Sequence, residues 1–261
     1  MFNIRFGIDY LLHRLTAKTR HGTHSPFVYK LVDEVIYDFS PKNVYNSIEE
    51  TRKRLLHDKH RITVTDLGAG SHINNKSVRS VAEIAKNVVQ SAPLAQLLYR
   101  LAAYHQPGNI IELGTSLGIT TLYLQTAALR ADVYTLEGCT EVAVLASELF
   151  KQQKADGIKQ VPGNFDDTLQ PLINSLPQVD FVYVDGNHFY EATMRYFNYC
   201  LPKVHENTIL VFDDIYWSEG MKQAWTEIKA HPQVTATVDL FWTGLVYFRK
   251  GQAKENFKIR L

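Results

Sequence analysis

Cysteine is nearly absent: Cys139 and Cys200 are the only two in 261 residues, far apart and without CxxC spacing. That excludes a disulfide framework and a thiolate zinc cage, and it suits a reducing compartment. No run of roughly 18 apolar residues occurs, so no membrane-spanning helix is expected. The opening MFNIRFGIDYLLHRL is interrupted by Arg5, Asp9 and Arg14 and lacks the apolar core of a signal peptide, which makes the cytoplasm the expected compartment. Charge of one sign is lacking too. Lys plus Arg number 28 against 27 Asp plus Glu, a balance that argues against coating a nucleic acid. Residues 1–62 hold eleven Lys/Arg and seven Asp/Glu, a mild excess that reads as a solvated helical face. Internal repeats and low-complexity linkers are missing as well.

What is present falls into two textures. Apolar positions recur at helical spacing over residues 3–18, 27–38, 44–58, 75–89 and 92–106, with Ser25-Pro26 placed as a helix start. From Asn109 onward, β-rich runs alternate with helical stretches: NIIEL, DVYTLE, IKQVPG, DFVYVD and TILVFDD, then two closing strands near 233–240 and 243–249. This alternation predicts an α/β fold, a doubly wound, mostly parallel, seven-stranded Rossmann-like sheet. The predicted organisation is a helical N-terminal extension over 1–91 and a catalytic domain over 92–261. Right-handed crossovers place ligands beyond the carboxyl ends of the strands.

Two stretches compete for the role of first strand and glycine loop: VTDLGAGS at 64–71 and IIELGTSLGITT at 110–121. A nucleoside-binding loop needs a second strand ending in an acid about 20 residues later. After DLGAGS the chain is polar and then helical. After IIELGTSLG comes a helix and then DVYTLEG, with Glu137 twenty-five positions beyond Glu112. The second stretch meets the requirement. For residues 66–91 two readings stand, a lid hinged at Gly68 and Gly70 or a turn capping helix 75–89.

ELGxxxG, an acid ending strand two, GNFDD after strand three and FVYVDGNH at strand four together resemble a class I S-adenosylmethionine-dependent methyltransferase. The closer likeness is to the catechol and caffeoyl-coenzyme A O-methyltransferases, over about residues 88–250. The resemblance implies a donor site at Glu112, Gly114, Ser116, Gly118 and Thr120, with Glu137 on the ribose hydroxyls, Asn164 and Phe165 at adenine, and Asp185 at the rim. Gly114 and Gly118 are expected to let the backbone approach the donor, and the helix that follows points free N–H groups at a carboxylate.

Asp185 ends strand four, and Asp213 and Asp214 end strand five. In metal-dependent relatives the corresponding residues hold a divalent cation, so the resemblance implies Mg, Mn or Ca at Asp185, Asp213 and Asp214. Hard oxygen ligands suit those ions. Asp214 stands where those relatives have Asn. His188 stands where they place a lysine base, and imidazole accepts a proton near neutrality; Asp185 and His188 are therefore the expected catalytic pair. Tyr216 and Trp217 are expected at the acceptor pocket. Together these features imply an O-methyltransferase acting on a small-molecule hydroxyl, with a homodimer possible. The alternatives are a metal-independent methyltransferase, a tRNA hydroxyl methyltransferase and a non-enzymatic cofactor-binding scaffold.

Overall fold

The computed structural model describes residues 4–22, 24–65 and 77–261. Their contacts divide the chain into two compact units, Met1–Asp38 with Leu176–Leu261, and Phe39–Ser175. The expected boundary near residue 91 falls inside the second unit. The DLGAGS segment lies outside the described residues.

The first unit opens with α1 (Ile4–Thr16) and α2 (Pro26–Leu31), which runs on into a π-turn at Val32–Ile36. Ser25 caps α2 by accepting from the Val28 N–H, with Pro26 behind it, as expected. Helix α1 docks by its polar side. Its buried residue is His13, its Asp9 carboxylate meets Lys222 at 2.7 Å, and Phe6 and Tyr10 pack edge-on against Phe241. Ile4, Ile8, Leu11, Leu12 and Leu15 are left exposed.

The second unit contains α3 (Asn43–His57), β1 (Arg61–Thr63), β2 (Val78–Ser80), α4 (Val81–Asn87) and α5 (Ala92–His105). The α/β alternation follows: β3 (Asn109–Leu113), α6 (Ile119–Ala127), β4 (Asp132–Glu137), α7 (Thr140–Gln152), β5 (Ile158–Pro162) and α8 (Phe165–Ser175). Periodicity alone predicted a helix over 75–89; instead β2 pairs antiparallel with β1, and α4 begins later. The reason is a capping box. The Ser80 hydroxyl accepts the Glu83 N–H, while the Glu83 carboxylate accepts the Ser80 N–H. The two ends of the DLGAGS connection are therefore tied, with the Val64 N–H donating to the Ser77 carbonyl at 2.6 Å.

The first unit then resumes with β6 (Phe181–Val184), α9 (Tyr190–Cys200), β7 (Ile209–Asp213), α10 (Glu219–Ala230), β8 (Ala236–Asp239), β9 (Thr243–Tyr247) and β10 (Glu255–Lys258). The strand order is β3-β4-β5 in one unit and β6-β7-β9-β8-β10 in the other, parallel throughout except at β9, which runs antiparallel to both its neighbours. Strands β3, β6 and β7 are buried along their whole length, as continuous apolar runs in a parallel sheet demand. The eighth strand, β10, was not foreseen. It pairs parallel with β8, and Lys18 bridges to Ile259 just beyond it.

Candidate active site

The glycine turn follows β3. Glu112 is fully buried and pairs across the sheet with Thr135, whose hydroxyl donates to its Oε2 at 2.6 Å; the Thr121 hydroxyl donates to the same oxygen at 2.5 Å. Burial pushes its pKa up to about 7 against those two donors. Glu112 Oε1 and the Ser116 hydroxyl are buried with no hydrogen-bond partner. Unmatched buried polar atoms are rare, so two at one turn call for a polar ligand. The backbone is left-handed at Gly114 (φ 104°), Ser116 (47°) and Gly118 (80°).

Glu137, at the end of β4, accepts the Ser116 N–H on Oε2 and the Cys139 N–H on Oε1, both at 2.9 Å. Each carboxylate oxygen has a second lone pair, so this pinning leaves acceptor capacity for ribose hydroxyls. Gly118 differs from expectation in its reason. A Cβ there would lie 2.5 Å from the Phe150 ring of α7, so packing, together with the positive φ, demands glycine. Thr120 is buried at the start of α6. Asn164 caps α8, its Oδ1 accepting the Asp166 N–H at 3.1 Å, with Phe165 next to it as the first helical residue.

The predicted acids and histidine of the other unit do converge. The β6–β7 register pairs Tyr183 with Val211 and Val184 with Phe212, which puts Asp185 and Asp213 side by side at the strand ends. The His188 Nε2 lies 3.8 Å from Asp185 Oδ1 and 3.9 Å from Asp214 Oδ2. Burial lowers the imidazole pKa below 6.5, with the Asp213 charge opposing. Burial raises Asp213 to about 6, helped by the Asp214 charge, and burial raises Asp214 to about 6. Asp214 and Asn187 sit at φ 53° and 54°, a conformation that Asp and Asn tolerate best after glycine.

Two features escaped sequence reasoning. The Tyr183 hydroxyl lies 3.1 Å from Asp185 Oδ2 and 3.2 Å from Asp213 Oδ2, and the Thr243 hydroxyl donates to Asp213 Oδ1 at 2.9 Å. Asp213 thus has both oxygens engaged by protein donors. No three His, Cys, Asp or Glu side chains among the described residues are grouped so as to hold a metal ion. Tyr216 also departs from expectation: its hydroxyl donates to Asp239 at 2.8 Å and its ring stacks on Phe241, so it serves the α1 docking site. Trp217 is partly exposed.

Residues 111–215 match the family described as a methyltransferase domain. Solved structures of similar fold include the SAH-bound Podospora anserina methyltransferase PaMTH1, at 13% identity and TM-score 0.59 over 87% of this chain and 97% of that one. Another is the O-methyltransferase TomG of Streptomyces achromogenes, solved with SAM, at 16% identity and TM-score 0.58 over 85% and 95%. A third is an O-methyltransferase from Bacillus cereus with SAH, at 16% identity and TM-score 0.56 over 84% and 96%. At such identities the likeness establishes the fold. A Sinorhizobium fredii protein, y4gI, described only as uncharacterized, is 26% identical over 141 residues; the match covers 48% of this chain and 15% of that protein's length. No helix among the described residues is long and apolar enough to cross a membrane.

Proposed function

We propose that this chain is an S-adenosylmethionine-dependent O-methyltransferase acting on a hydroxyl of a small molecule. The observation that carries the reading is the convergence of Asp185, Asp213 and Asp214 on the His188 imidazole, next to a methyltransferase-domain match.

When bound, S-adenosylmethionine supplies an electrophilic methyl group on a sulfonium. The turn from Gly114 to Gly118 would take its amino-acid end, with Glu112 and Ser116 offering the unmatched polar atoms. Glu137 would accept the ribose hydroxyls, and Asn164 and Phe165 would border adenine. His188, kept neutral by burial, takes the proton of the acceptor hydroxyl. The imidazolium so formed lies between the Asp185 and Asp214 carboxylates, which stabilise it.

Divalent-cation assistance is implied by the resemblance: Asp185, Asp213 and Asp214 would hold the ion, and each Asp213 oxygen that accepts from Tyr183 or Thr243 keeps a second lone pair. Calorimetric titration with Mg²⁺ or Mn²⁺ decides it: saturable binding that is lost in Asp213→Asn is expected, and no binding to the wild type would leave the metal-independent alternative.

The test of the function is His188→Ala. Turnover on a hydroxyl acceptor is expected to fall roughly 10²-fold or more while S-adenosylhomocysteine affinity holds, since a general base contributes on that order. The acid limb of the wild-type rate profile is expected below pH 6.5, because the base must be neutral and its pKa is lowered. Unchanged turnover in the variant would reject His188 as the base.

A further inference from the structure

Asp185 and Asp213 stand side by side at the ends of neighbouring parallel strands, about 4.8 Å apart by sheet geometry. Two carboxylates at that spacing repel and tend to turn away from each other. What lies between them is a phenol. Tyr183 precedes Asp185 by two residues, so the strand alternation puts both side chains on one face. Its ring is fully buried, and its hydroxyl reaches forward to Oδ2 of both acids.

The consequence concerns the other oxygens. With Oδ2 of Asp185 turned to the phenol, Oδ1 is the oxygen left at the His188 imidazole, 3.8 Å away. With Oδ2 of Asp213 turned the same way, Oδ1 meets the Thr243 hydroxyl across the β7–β9 pair, where Asp213 and Thr243 are register partners. One phenolic hydrogen therefore sets the rotation of two carboxylates, and through Asp185 it sets which oxygen the imidazole faces.

We propose that Tyr183 is a positioning residue for methyl transfer: its hydroxyl bridges Asp185 and Asp213 and so turns Asp185 Oδ1 toward His188. This rests on the methyltransferase reading above. The bridge needs no ligand to exist, so it can be detected in the ligand-free protein.

The test is Tyr183→Phe, which keeps the buried ring and deletes only the oxygen. In ligand-free protein at fixed pH, the side-chain carboxyl ¹³C resonances of Asp185 and Asp213 are expected to move, because a carboxylate resonance reports its hydrogen bonds. Turnover is expected to fall about tenfold or more through kcat, with S-adenosylhomocysteine affinity by calorimetry unchanged, as for a misaligned catalytic group. Site-specific fluorotyrosine at position 183, a sharper donor of nearly the same size, covers the case in which the phenylalanine variant folds poorly; it is expected to move the same two resonances. Stationary resonances in both proteins overturn the bridge. Shifted resonances with unaltered kcat overturn the positioning role. Wild-type protein inert toward hydroxyl acceptors, with the resonances still responding, rejects the enzymatic reading instead and leaves the two failures distinct.

Discussion

Glu112 shows how one buried atom couples the site to stability. Its carboxyl titrates at about 7 in the fold against an ordinary 4.5, so between those values the folded state holds a proton that the unfolded chain has released. Stability is therefore greatest below pH 4.5 with respect to this group and declines as pH climbs to 7. Glu112→Gln removes the ionisation penalty, worth up to about 3 kcal/mol at 1.36 kcal/mol per pKa unit. Urea unfolding at pH 5 and pH 8 checks it. The variant is expected to gain on the wild type at pH 8 and to match it closely at pH 5. How much of the site could be read from sequence follows the same residues. Asp185, Asp213 and Asp214 were legible because they sit at or just past the ends of β6 and β7, where sheet topology brings side chains together, whereas His188 lies in the loop before α9 and was legible only through the resemblance. Tyr183 was not, since its role depends on strand register and on a hydroxyl reaching two acids 28 residues apart in sequence. Tyr216 was misplaced for a similar reason: its partner, Asp239, comes from the end of β8, further along the chain.

Among the elements, the start of α6 depends on Gly118. A side chain there meets both a left-handed backbone and the Phe150 ring at 2.5 Å. Gly118→Ala is expected to destabilise by about 2–4 kcal/mol, combining roughly 1–2 for the αL penalty with the rest from overpacking. Denaturant unfolding measures that loss, and Phe150→Leu added to the variant is expected to restore part of it; no restoration would place the strain in the backbone alone. Helix α1 depends on a different contact. His13 meets the Asp239 carboxylate at 3.0 Å with both groups buried. The Asp239 pKa is lowered although burial raises it, because His13, Phe241 N–H and Tyr216 donate to the carboxylate. His13→Ala leaves Asp239 with less compensation and is expected to cost about 3–5 kcal/mol, read by thermal or urea unfolding. The strands legible in sequence are β3 to β9, most plainly β3, β6 and β7 with their continuous apolar runs. Those that were not are β1 and β2, only three residues each, and β10, whose ENFK is exposed or half-buried and carries no apolar run.

On the scale of the whole molecule, the division of contacts could not be seen in sequence at all. Helical periodicity describes residues 1–91 as an N-terminal extension, yet Met1–Asp38 group with Leu176–Leu261, while the rest of that stretch belongs to Phe39–Ser175. Lys18 pairs with Ile259, the Lys18 carbonyl accepts the Arg260 N–H, and the Tyr37 hydroxyl donates to the Arg260 carbonyl. Only long-range pairing carries this information.

That splice has a consequence for biosynthesis. A ribosome delivers residues 39–175 as one uninterrupted block, able to collapse as soon as it clears the tunnel, whereas residues 1–38 emerge before it and have nothing to dock on until residues 176–261 follow. Stalled nascent chains ending near residue 215 should show the middle block resisting protease while the leading helices are cut. Releasing the remaining residues should then protect those helices in a single late step.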